Sequence, residues 1–95
     1  MNFNILDYIP FGRENAISRQ RLMQLTGLPD RENRELIQKA RRDTPIINIQ
    51  RGEGYFRPLV EERDLVEKWL KQEESRAKSV FWSSRGAKKF LNEVK

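Results

Sequence analysis

Arg31, Arg34 and Gln38 follow one another at intervals of three and four residues, so on a helix they share one side. A guanidinium can make a paired hydrogen bond to the edge of guanine, and a carboxamide can do the same for adenine. Lys39 and Arg42 flank that side, where a cation suits a phosphate oxygen better than a base edge. Glu32 and Glu35 lie in the same stretch and can pair with the neighbouring arginines. The same residues would also make an ordinary solvated helix face.

Other chemistry is sparse. The chain holds no cysteine and no histidine. That removes disulfides, Cys/His metal sites, thiol nucleophiles and the usual general base. The clustered carboxylates, Glu61, Glu62 and Asp64, stand where a helix is expected to begin, and acids there stabilise the helix dipole. The expectation is a protein that is not an enzyme, with no catalytic centre, metal, cofactor or small-molecule ligand.

Charge points toward a polyanion. The formal net charge of the 95 residues is +5. Residues 18–42 hold seven bases against three acids, and residues 75–95 hold six against one, so the remainder is acidic overall. A basic balance also serves solubility alone, so its placement matters more than its size. With 37% hydrophobic and 35% charged residues the chain can close one modest core. No apolar run approaches the roughly 20 residues of a membrane span, and Met1-Asn2-Phe3-Asn4 lacks the basic start of a signal peptide. A cytoplasmic protein is expected, which the absence of cysteine suits.

The elements that would position these residues follow from caps and breakers. Phe3, Ile5, Leu6, Tyr8 and Ile9 suggest a first helix over about 3–9, stopped by Pro10 and Gly12. Residues 11–15 read as a polar turn and Ala16-Ile17 as a very short strand. Ser18 is an N-cap for a helix that Gly27 ends. Asp30 is the N-cap candidate for the next, whose apolar face is Leu36, Ile37 and Ala40 with Asn33 turned inward beside them. Thr44-Pro45 stops it. Ile46 to Ile49 and Tyr55 to Arg57 read as two strands of a hairpin, and a last helical region starts near Glu61.

Helix, short strand, helix, tight turn, helix, hairpin is the order of a winged helix. The expected class is therefore α+β, mainly α: a winged helix-turn-helix over 1–59 with a C-terminal helical extension over 60–95. The helix at about 30–43 would enter a major groove with Arg31, Arg34 and Gln38 at base edges. Ser18, Arg19, Lys39 and Arg42 would meet phosphates, as would Arg51 from a wing at 50–54. Glu53 in that loop opposes phosphate contact.

Ile5 to Pro10, Asn15 to Ser18, Leu25 to Leu28, Ala40 to Asn48 and Gly52 to Pro58 resemble small winged-helix proteins of phages and prophages in low-GC Gram-positive bacteria, as do the later runs Arg76 to Ser79 and Arg85 to Lys88. The resemblance implies a bacterial cytoplasmic DNA-binding protein acting in regulation or replication. Asn33 departs from it, because related sequences tend to carry an aliphatic residue there.

From Val60 the pattern is helical: Leu65, Val66, Trp69 and Leu70 on one face, continued by Ala77, Val80 and Phe81, with Phe90, Leu91 and Val94 later. One helix of about 33 residues would span roughly 50 Å, while a break near Ser83 to Gly86 would give two. Trp69, Val80, Phe81 and Phe90 are the expected contacts of a homodimer; completing the monomer core is the other use for such side chains. Double-stranded DNA and a second copy are thus the expected partners. The competing reading is a winged helix used only as a protein-interaction module.

Overall fold

The computed structural model describes residues 3–49 and 54–94. The protein is mainly helical with one small antiparallel sheet. Its first turn, Ile5–Tyr8, is a 3-10 helix opened by Asn4, whose side chain accepts the Leu6 N–H at 3.0 Å. A full α-helix over 3–9 does not form. Ile9 precedes proline and is extended at φ −100° and ψ 111°, and a segment this short offers too few bonds to offset helix nucleation. Ile5 and Ile9 still reach the core. The expected turn at 11–15 contains a second 3-10 turn, Arg13–Asn15.

Helix α1 spans Arg19–Thr26. Ser18 is extended and accepts the Arg21 N–H on its hydroxyl at 3.1 Å, the N-cap geometry its residue type favours. Gly27 ends α1 at φ +73°, with its N–H on the Met23 carbonyl. Helix α2 spans Asp30–Ala40, and here the expected cap is corrected: Pro29 occupies the N-cap and Asp30 is the first helical residue. Proline suits this place because its ring fixes φ and the start of a helix leaves N–H groups unpaired anyway. Residues 41–43 continue as a turn.

Strand β1, Ile47–Ile49, pairs with β2, Gly54–Phe56, in antiparallel register with Ile47 opposite Phe56 and Ile49 opposite Gly54. Ile17 adds a one-residue bridge to Tyr55, each N–H donating to the other's carbonyl at 2.9 and 2.8 Å. Arg57 carries the chain on to a bridge with Phe11. Ile5, Ile9, Ile17, Leu22, Ile37, Ile46 and Tyr55 form one buried cluster between the first turn, α1, α2 and the sheet. Tyr55 and Phe56 are both buried although successive strand residues face opposite sides, so the sheet is covered on both faces.

A 3-10 turn at Val60–Glu62 leads into α3, Arg63–Ser83. Glu62 ties this entry down: its carboxylate accepts the Leu59 N–H at 2.8 Å and the Arg13 N–H at 2.9 Å. Of the two forms open from sequence, the two-helix one is found. Ser84 separates α3 from α4, Arg85–Glu93, and bonding resumes with the Lys88 N–H on the Ser84 carbonyl. Helix α3 meets the sheet at β1, where Leu65, Val66 and Trp69 are half-buried. Among the described residues, no helix is long and apolar enough to cross a membrane.

Candidate nucleic-acid interface

Helix α2 has two sharply different sides. Asn33 and Ile37 are buried and Leu36 and Ala40 half-buried, as their spacing predicts. Arg31, Glu32, Arg34, Glu35, Gln38 and Lys39 are exposed on the other side, and Arg42 is exposed just past the helix end. Within that side the charges are not equivalent. Arg31 lies 3.5 Å from Glu35, a solvent-exposed pair with little hold on either side chain. Gln38, Lys39 and Arg42 form no ion pair or side-chain hydrogen bond with another described residue.

Asp30 organises the start of α2. Its carboxylate receives both Nε and Nη2 of Arg19 from α1, and lies 3.1 Å from Nε of Arg34 one turn on. The hydrogen bond from Arg19 holds Asp30 below the usual carboxylate range, against its partial burial and helped by the positive charges of Arg19 and Arg34. The same bond raises Arg19 above its ordinary value. Both arginines keep more than half of their side-chain surface in solvent, at 59% and 57%. Two cations expected on phosphate and base are thus shared with one acid at the seam between α1 and α2.

Ser18 spends its hydroxyl on the cap of α1. What that end offers an anion is the pair of first-turn N–H groups a helix leaves unbonded. Arg51 and the loop between the strands lie outside the described residues, apart from Gly54.

Sequence reasoning overlooked Arg41. It turns back from the end of α2, donating from Nε to the Ile46 carbonyl at 2.9 Å and from Nη2 to Asn48 Oδ1 at 3.0 Å. Its guanidinium lies 5.0 Å from the ring centre of Trp69, whose Nε1 donates to the same Asn48 oxygen at 3.1 Å. Burial lowers the Arg41 pKa, opposed by the Tyr55 and Glu73 charges. This cluster locks α2, β1 and α3 together, so Trp69, expected at a dimer contact, is engaged within its own chain. The remaining three differ among themselves. Phe81 lies under the Lys88 ammonium at 5.0 Å, while Val80 and Phe90 are each 62% exposed.

Among the described residues no cluster of acids could hold a metal ion. No family model matches the chain, and neither a curated protein nor a solved structure matches it.

Proposed function

We propose that the chain is a double-stranded DNA-binding protein of the winged helix-turn-helix type, with α2 as the helix that enters the major groove. The observation that carries this is the outward side of α2, where Gln38, Lys39 and Arg42 stand exposed beside Arg31 and Arg34 on a helix whose other side is fixed by Asn33 and Ile37. A groove about 12 Å wide admits a helix with side chains of this length. The one-residue bridge of Ile17 on the hairpin and the short turn between α1 and α2 suit the same architecture. The resemblance to phage and prophage proteins supports a bacterial cytoplasmic setting in transcriptional regulation or as a replication accessory. Cofactors play no part in this reading.

The test is binding of a random duplex as salt is raised. Each phosphate neutralised contributes a slope of about −0.9 in log K against log salt, so four contacts give about −3.6. Absence of measurable duplex affinity at low salt, or a flat salt response, would remove this reading. The exposed apolar side chains of α3 and α4 favour the competing one, a protein-interaction module, and such a module would show no steep salt slope on DNA.

A further inference from the structure

We propose that the junction of α3 and α4 is a binding surface for single-stranded DNA, separate from the outward side of α2. Lys78, Phe81, Trp82, Arg85, Lys88 and Lys89 follow at intervals of three, one, three, three and one, which on a helix gathers them on one side. The break at Ser84 does not divide that side. The Arg85 guanidinium lies 4.6 Å from the ring centre of Trp82 and the Lys88 ammonium 5.0 Å from that of Phe81, so cations of α4 sit over rings of α3. Val80, Ala87, Leu91 and Val94 take the other side. Phe81 and Trp82 thus stand among cations rather than in the apolar row, and each keeps more than half of its surface in solvent, at 57% and 61%.

Charge and ring geometry identify the occupant. Residues 75–95 hold six bases and one acid. Among the described residues no carboxylate pairs with Lys78, Arg85, Lys88 or Lys89, unlike Arg76, which reaches Glu73. The fitting partner is an anion that also presents flat apolar faces. A nucleic acid has both: its phosphates suit the cations and its bases stack on aromatic rings. The two rings lie 6.3 Å apart and 79° from parallel, so they cannot share one continuous stack of bases. Each base must turn to its own ring. A single strand can splay its bases in this way, whereas a duplex keeps their faces closed in its own stack. An anionic lipid surface would take up the apolar row and leave the rings on the side facing water. The choice of DNA over RNA rests on the reading of α2 as a duplex-binding helix, and the stacking on the rings is independent of it.

Fluorescence anisotropy of a labelled oligo(dT) of about 12 nucleotides, titrated with the full chain, tests this. The controls are an abasic deoxyribose oligomer of the same length, which keeps the phosphates without the bases, and a blunt duplex. Oligo(dT) should bind about 5- to 150-fold more tightly than the abasic oligomer, the range for one stacked base. Trp82→Ala should remove most of that difference, Trp82→Phe should keep part of it, and neither should alter duplex affinity. Trp82 is exposed, so the circular dichroism melt should stay as it was. Lys78→Ala combined with Lys89→Ala should weaken both oligomers alike and reduce the salt slope by about 1.4, at about 0.7 per phosphate on a single strand. Equal affinity for oligo(dT) and the abasic oligomer overturns the proposal, as does a Trp82→Ala chain that discriminates between them as the parent does. Tighter binding to oligo(U) than to oligo(dT) overturns it in favour of RNA. Binding to anionic vesicles with none to either oligomer overturns it in favour of a lipid surface. A chain that stacks oligo(dT) yet ignores the blunt duplex upholds this surface and removes the reading of α2.

Discussion

The Thr26 hydroxyl lies 3.1 Å from Oδ1 of Asn33, joining the last residue of α1 to the first turn of α2. The same hydroxyl accepts the Leu28 N–H at 3.1 Å and lies 3.0 Å from the Leu22 carbonyl, and the Asn33 amide donates to the Leu28 carbonyl at 3.4 Å. Among the described residues Asn33 is the one buried polar side chain, and no buried side-chain nitrogen or oxygen lacks a partner. This contact sets the roll of α2. With Asn33 held against the turn, Arg34 and Gln38 must face away from the body.

Asn33→Ala should therefore destabilise the fold by about 1–3 kcal/mol, because the half-buried Leu28 carbonyl and Thr26 hydroxyl each lose a partner. The second variant, Thr26→Val, is the more informative when combined with it. The pair together should cost less than the sum of the two alone, since neither is then left with an unmatched polar group. Urea midpoints measure all three. An Asn33→Ala variant within 0.5 kcal/mol of the parent would mean that the turn is held by packing alone.

Gly54 and Gly27 both have positive φ, at +98° and +73°, yet they should respond differently to alanine. A Cβ at Gly27 meets nothing within 4 Å, so Gly27→Ala should cost only the left-handed strain of about 1–2 kcal/mol. A Cβ at Gly54 would stand 2.0 Å from the Ile17 carbonyl oxygen, where backbone must move. Gly54→Ala should break the Ile17–Tyr55 bridge and lower Tm by much more than Gly27→Ala. Equal shifts in thermal melts of the two variants would show that this bridge adds little.

Gly27 was readable from sequence and Gly54 was not, for a physical reason. A glycine after an apolar helical run signals its own backbone need, while the approach of Ile17 to Gly54 joins segments 37 residues apart. Caps and periodicity are local, so Ser18 as a cap and Ile37 as core could be read directly. Asp30 misled because an acid before a helix suits a cap, and only the fold shows that Arg19 comes across from α1 to claim it. Arg41 carries no local sign of its role either. Its partners, Asn48 and Trp69, arrive from β1 and α3. The break at Ser84 was half-legible, since paired serines and Gly86 weaken a helix without enforcing its end.

Acid should loosen the junction between the first turns and α3. Two backbone N–H groups, of Leu59 and Arg13, hold Glu62 below the usual carboxylate range, with burial opposing them. A carboxylate whose folded pKa is depressed stabilises the fold at every pH above its unfolded value, about 4.3. That contribution is lost as pH falls through the folded value. Glu62→Gln should lower Tm at neutral pH and flatten its fall below about pH 5. Asp30→Asn should flatten the same acid window separately, because Asp30 is depressed too. Identical acid slopes for Glu62→Gln and the parent would show that this carboxylate does not secure the junction.

Asp30 also gives the groove assignment its sharpest test, because it restrains two cations that DNA would otherwise attract. Asp30→Asn removes the charge that holds Arg19 and Arg34, so duplex affinity should rise at low salt and the salt slope should steepen by about one to two phosphate contacts. Arg34→Ala and Gln38→Ala should act otherwise, changing which sequences are preferred, with about 1–3 kcal/mol of discrimination lost per base contact. Arg42→Ala should weaken every duplex alike and reduce the slope by about one. Binding titrations on a small panel of duplexes at two salt concentrations separate these patterns. If Asp30→Asn leaves the slope unchanged while Gln38→Ala and Arg42→Ala bind as the parent does, α2 is not the helix that meets DNA.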